Sequence, residues 1–189
     1  MTALVAVLAG GRGRRMGGAK PVAELGGEPL IARPVRAATA AGLAVVVVAK
    51  AATPLPPLDV PVWQEPDEPT HPLLGIVTAL ERADGRPVVV CGCDMPFVEP
   101  SFIAHLATRC DRLVVPSLGG RLHPLLARYE PVLLEPLRSA LGSRKALQAI
   151  VAGLGPDLID DRELGNPERL LFNVNTPADL DEAERLIDA

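Results

Sequence analysis

Apolar and polar positions along the chain fall into two alternating kinds of segment. Short, bounded, β-branched runs predict buried strands: ALVAVLA at 3–9, LAVVVVA at 43–49, PVVVCG at 87–92 and RLVVP at 112–116. VPVW at 60–63, PLLARY at 124–129 and DLID at 157–160 predict shorter ones. Between them lie helical patterns. GEPLIARPVRAATAAG at 27–42 reads as a helix with Pro29 near its first turn and Gly42 at its end, and Pro34 either kinks it or marks a late start. LLGIVTALERA at 73–83 places Leu73, Ile76, Val77 and Leu80 on one face. Further helices are expected at 99–110, about 130–141, 143–152 and 179–188. Strands alternating with helices predict an α/β fold: right-handed βαβ units forming a mostly parallel sheet with helices on both faces. In such sheets ligands bind beyond the carboxyl ends of the strands.

Composition narrows the class. The 189 residues suit one domain spanning 1–189, with no internal repeat and no evident boundary. No apolar run is long enough to span a bilayer, and a strand begins almost at once, leaving no room for a signal peptide. The expectation is a soluble, cytoplasmic protein with no membrane partner. The three cysteines, Cys91, Cys93 and Cys110, are an odd number and argue against a disulfide framework. The net charge of −4 and the aromatic content of 3% argue against a nucleic-acid partner.

One segment departs from this acidic balance. LAGGRGRRMGGAK at 8–20 has five glycines, three arginines and a lysine without any acid, directly after the first strand. It lacks the third glycine of a dinucleotide fingerprint and the Gly-Lys-Ser/Thr ending of a Walker loop. Bare backbone N–H groups and cations still suit an anionic phosphate ligand, and the alternative is a solvated basic turn. Asp94 follows VVVCGC at the end of a predicted strand, where it suits either a metal bridging to phosphates or a turn. No Ser-His-Asp set, HExxH or CxxC is present.

Taken together, LAGGRGRRMGGAK, CDMPF at 93–97 and NVNTPADL at 173–180 resemble the molybdenum cofactor guanylyltransferase family, in order and spacing over essentially the whole chain. The resemblance implies a three-layer Rossmann-like nucleotidyltransferase fold. It also implies transfer of GMP from GTP to molybdopterin cofactor, with Mg²⁺ and release of pyrophosphate. Leu8, Ala9, Gly10 and Gly11 match the segment that holds the guanine nucleotide. Arg15 and Lys20 match phosphate-contacting cations, Asp94 the metal-binding aspartate, and Asn173 and Asn175 the asparagines on the molybdopterin side. LAGG and PLLG at 72–75 look like the guanylyl rather than the cytidylyl pattern. GTP and molybdopterin cofactor are the implied partners, with molybdopterin-delivering proteins or molybdoenzymes beyond them.

The chain departs from the family at Ala19 for an aspartate, His71 for a glycine and Val48 for an asparagine. Glu65 stands near a nucleotide-side aspartate, where it accepts from guanine or ribose, or is a solvated loop residue. His123 lines the pocket or simply packs. Arg144 and Lys145, expected to begin a helix, meet an anionic acceptor or lie on the surface. Asn173 and Asn175, two apart in an extended stretch, should face one way, toward ligand or toward loop backbone. Three alternatives stay open: a cytidylyltransferase, a nucleotidyltransferase for another phosphorylated acceptor, and a non-catalytic nucleotide-binding adaptor.

Overall fold

The computed structural model describes residues 1–160 except 12, 14, 15, 18 and 19, together with residues 162–187. The four long apolar runs form β1 (Leu4–Leu8), β4 (Ala44–Ala49), β6 (Val88–Gly92) and β7 (Leu113–Leu118). β5 (Val62–Gln64), β8 (Arg121–Leu122), β9 (Leu126–Tyr129) and β10 (Asp157–Ile159) complete an eight-stranded sheet. Its order is β10-β7-β9-β6-β1-β4-β5, with β8 paired to β7. β1 pairs parallel with both β4 and β6, β4 with β5, and β10 with β7, while β9 runs antiparallel between β6 and β7.

The central strands are apolar at every position because both faces are covered. Val5 and Val7 of β1, with Val89 and Cys91 of β6, pack under α1 (Ala32–Ala40) and α3 (Pro100–Thr108). Leu4 and Ala6, with Val88 and Val90, face α2 (Pro72–Arg82), α4 (Leu134–Ala140) and α5 (Leu147–Ala152). Three layers result, and each fully buried Val or Leu contributes about 1.5–3 kcal/mol relative to exposure. A smaller cluster of Leu25, Leu30, Phe97, Val174 and Ala183 joins the C-terminal helix α7 (Pro177–Ile187) to the segment after β6. The short helix α6 (Pro167–Leu170), capped by Asn166 onto the Arg169 N–H, precedes it.

Two local expectations are corrected. The helix expected from residue 27 begins only at Ala32. Gly26 and Gly27 both take positive φ, at 61° and 75°, and turn a hairpin between β2 (Glu24–Leu25) and β3 (Glu28–Pro29). Pro29 therefore lies in a strand, and Pro34 marks the late start, sitting in the first helical turn where its missing N–H leaves no helix bond unmade. Arg144 and Lys145 precede α5 rather than begin it. Among the described residues no helix is long and apolar enough to cross a membrane.

Candidate active site

β1 is the point at which the strand order reverses: β4 and β5 extend the sheet on one side, and the chain then crosses to β6 on the other. A crevice opens at such a switch point, beyond the strands' carboxyl ends. Ladder bonds carry the next residues of each strand to that edge in register. The Ala9 N–H donates to Val48 O at 2.8 Å, Cys93 N–H to Leu8 O at 3.0 Å, and Glu65 N–H to Ala49 O at 2.9 Å. Leu8 to Gly11, Lys50, Glu65 and Asp94 thereby line one cavity of about 320 Å³. Lys20, Thr70, His71, Gly75, Leu125 and Asn175 line it as well.

Two groups of charge are built there. In the first, the Lys20 ammonium donates to Asp94 Oδ2 at 2.7 Å and to Asn175 Oδ1 at 2.9 Å. The other Asp94 oxygen, Oδ1, is buried and has no hydrogen-bond partner among the described residues. It lies so close to Gly92 that a β-carbon there would overlap it. A buried carboxylate oxygen left without a donor is costly unless something else fills its lone pairs. A hard divalent cation is a fitting partner, since such ions take one or two carboxylates and complete their shell with phosphates. Among the described residues no group of three or more His, Cys, Asp or Glu could hold a metal on its own.

In the second group, Glu65 is only 5% exposed. Its Oε1 lies 3.5 Å from Lys50 Nζ, which also donates to the carbonyls of Pro66 at 2.6 Å and Asp67 at 2.8 Å. Burial raises the Glu65 pKa above its ordinary value, and the Lys50 charge opposes that rise. The carboxylate is wedged between two glycines: Oε1 overlaps the place of a β-carbon at Gly10, and Oε2 lies 3.0 Å from the place of one at Gly75.

The residues expected from sequence divide accordingly. Leu8, Ala9, Gly10, Gly11, Lys20, Glu65, Asp94 and Asn175 are brought together. Arg15, like Ala19, lies outside the described residues. Glu65 is buried in the cavity wall, which corrects the solvated-loop alternative. Asn173 does not follow Asn175 but turns back, donating from Nδ2 to Leu171 O at 2.6 Å. His123, half-buried between β8 and β9, is not among the cavity residues, and burial together with Arg121 lowers its pKa. Arg144 and Lys145 are exposed and do not line the cavity themselves, although the Lys145 carbonyl meets His71, which does. The two strand-end cysteines are buried and free, and burial pushes the Cys93 thiol up to about 12, consistent with packing.

Sequence reasoning missed Lys50 and Thr70 and gave His71 no task. Lys50 directly follows a buried strand, at the carboxyl end where ligands bind, and that position was its available signal. His71 caps α2: its Nδ1 accepts from Leu73 N–H at 3.1 Å, which leaves Nε2 protonated to donate to Lys145 O at 3.2 Å.

Comparison with known proteins decides the family. The MobA-like NTP transferase domain matches residues 5–158. The chain belongs to this family. It is a nucleotidyltransferase with a Rossmann-like fold, and nucleotidyltransferases of this family generally use a divalent metal. A molybdenum cofactor guanylyltransferase of Rhizobium leguminosarum bv. trifolii (strain WSM2304) is 33% identical, over 97% of this chain and 92% of the relative. A probable molybdenum cofactor guanylyltransferase of Mycobacterium avium (strain 104) is 34% identical, over 92% and 91%. Among solved structures, molybdopterin-guanine dinucleotide biosynthesis protein A from Archaeoglobus fulgidus superposes with a TM-score of 0.81 at 28% identity, covering 98% of both chains. A 2-C-methyl-D-erythritol 4-phosphate cytidylyltransferase from Thermus thermophilus shares the fold at a TM-score of 0.72 and 21% identity, covering 100% of this chain and 99% of the other. Within this MobA-like frame, the cavity at the switch point holds the Lys20 ammonium and the Asp94 carboxylate side by side.

Proposed function

We propose that this nucleotidyltransferase transfers GMP from GTP to molybdopterin cofactor and releases pyrophosphate, with Mg²⁺ as its metal. What supports this reading above all is Asp94, one oxygen paired with Lys20 and the other buried and unpartnered, in a cavity it shares with the buried carboxylate of Glu65. The names of the full-length relatives point to the same nucleotide and acceptor.

A phosphate oxygen of the acceptor attacks the α-phosphorus of GTP. A new P–O bond forms, and the bond to the β-phosphate oxygen breaks, its electron pair leaving with pyrophosphate. The acceptor phosphate is already an anion, so no strong general base is needed, and the obstacle is charge repulsion. The Lys20 ammonium, with Arg15, offsets the phosphate charge and stabilises the departing pyrophosphate. Gly10 and Gly11 let the backbone N–H groups approach the nucleotide closely. Glu65 accepts from guanine N1–H and N2–H, and a cytosine lacks that pair of donors. Mg²⁺, held by Asp94 when bound, would withdraw charge from the phosphates. The chain acts as one domain in the cytoplasm, with GTP and molybdopterin cofactor as its partners.

The test is pyrophosphate release from GTP and CTP, each with Mg²⁺ and molybdopterin cofactor. GTP should be preferred. A preference for CTP would sink the guanine assignment, and release only with a different phosphorylated acceptor would sink the molybdopterin one.

A further inference from the structure

Lys20 reaches the cavity from a short 3-10 turn (Lys20–Val22), and its two side-chain partners lie 74 and 155 residues further along the chain. A lysine side chain gives up most of its rotamer freedom when fixed. Asp94 Oδ2 and Asn175 Oδ1 together fix this one. Among the described residues they take two of its three N–H groups, leaving one for a phosphate oxygen. An ammonium only donates, so the Asn175 amide must present its oxygen, and its Nδ2 faces Asn173 O at 3.5 Å.

Asn175 is itself held from behind. Asp179 Oδ2 accepts from the Asn175 N–H at 2.8 Å and from the Thr176 N–H at 2.9 Å, and Thr176 Oγ1 accepts from the Asp179 N–H at 3.2 Å. Thr176 and Asp179 thus form a reciprocal cap at the start of α7. One residue earlier, the Val174 N–H donates to the backbone carbonyl of Asp94 at 2.9 Å, and the Val174 side chain is fully buried against the Phe97 cluster. The segment carrying Asn175 is therefore anchored both to the helix behind it and to the residue that shares Lys20.

We propose that Asn175 is a positioning residue for Lys20, not chiefly an acceptor-binding one, and that Asp179 acts through it. The C-terminal helix cap then belongs to the apparatus that orients the phosphate-facing ammonium. This rests on the nucleotidyl-transfer reading of the cavity.

Two measurements on the full chain test it. In steady-state kinetics with GTP and acceptor varied separately, Asn175→Ala should lower kcat about ten- to hundredfold, the loss expected for one hydrogen bond to a charged group. Both KM values and the melting temperature should stay near wild type. Asp179→Ala should lower kcat in the same direction, and the double variant should be no slower than Asn175→Ala alone, because both act through one chain of contacts. A raised acceptor KM with kcat retained would overturn the proposal, as would additive losses in the double variant. The second measurement does not depend on turnover. NMR of the Lys20 ε-methylene protons, assigned with Lys20→Arg, should show inequivalent shifts in the wild type that collapse in Asn175→Ala. Unchanged inequivalence would overturn the positioning role even where the wild type proves active. A collapse in a chain without guanylyl transfer would overturn the proposed reaction and leave the contact standing.

Discussion

The Glu65 carboxylate occupies the space that a side chain at Gly10 would need: a β-carbon built there overlaps Oε1. Glu65 cannot retreat easily, because Gly75 backs its other oxygen and the Lys50 ammonium holds its loop. Gly10→Ala should therefore displace Glu65, raise the Kd for GTP and cost about 1–3 kcal/mol of stability by overpacking. Adding Glu65→Asp, which withdraws the carboxylate by one methylene, should recover part of the stability. Calorimetric titration and urea unfolding of the single and double variants beside the wild type check this. Wild-type GTP affinity in the Gly10→Ala variant would contradict it.

Glu65 also gives stability a pH dependence of known sign. Its folded pKa lies above the ordinary value of 4.5, through burial that Lys50 only partly offsets. The native state thus binds this proton more tightly than the unfolded chain does. Its contribution is fully present below 4.5 and is lost as pH rises through the folded pKa. In Glu65→Gln that slope disappears, so the melting temperature of the variant minus that of the wild type should climb across this window and then level off. A scanning-calorimetry series on the two proteins would show a falling or flat difference if the sign were wrong.

Asp94→Asn keeps an oxygen for Lys20 but loses the carboxylate. The melting temperature should stay within a few degrees of wild type, while transfer falls by more than about a hundredfold, in the range seen when one main electrostatic group is removed. Titration of Mg²⁺ in the presence of GTP should keep only the heat of Mg²⁺ binding to GTP itself, without the protein-dependent part. Full activity in this variant would remove Asp94 from the reaction.

Charge removal at Lys20 or at Arg15 should mainly slow transfer. For each alanine variant, kcat should drop at least about tenfold with little change in unfolding free energy. A variant that loses stability but keeps kcat would show that its residue is a structural cation and not a phosphate clamp.

His71→Ala removes the cap of α2 and the tie to the Lys145 carbonyl. Unfolding free energy should fall by about 1 kcal/mol, and amides of residues 142–146 should exchange faster with solvent. His71→Asn, which keeps a capping oxygen, should restore most of the stability but not the protection of that loop.

Much of this was legible along the chain because the signals are local and periodic. The strands of residues buried on both faces read as continuous apolar runs, and that alone placed Leu8 to Gly11 and Asp94 at the carboxyl edge. The Gly-Gly pair at 26–27 was a local signal too, yet the helical pattern beginning beside it masked the two-residue hairpin. Lys50 had a positional signal but no motif. His71 read as a departure from a pattern, since nothing local says that its ring bridges a helix N-terminus and a loop 74 residues away.

The sequence by itself determined the α/β alternation, the edge on which ligands would gather and the residue types able to meet a nucleotide. Tertiary structure alone decided which of them work as a unit. Lys20 with Asp94 and Asn175, and Lys50 with Glu65, are contacts between side chains from a 3-10 turn, separate strand ends and the segment before α7. It also separated Asn173 from Asn175, which the extended period of two had set on one face. Periodicity reports which face of an element is buried. Which polar groups meet beyond the strand ends depends on how separate elements pack, and no local pattern encodes that.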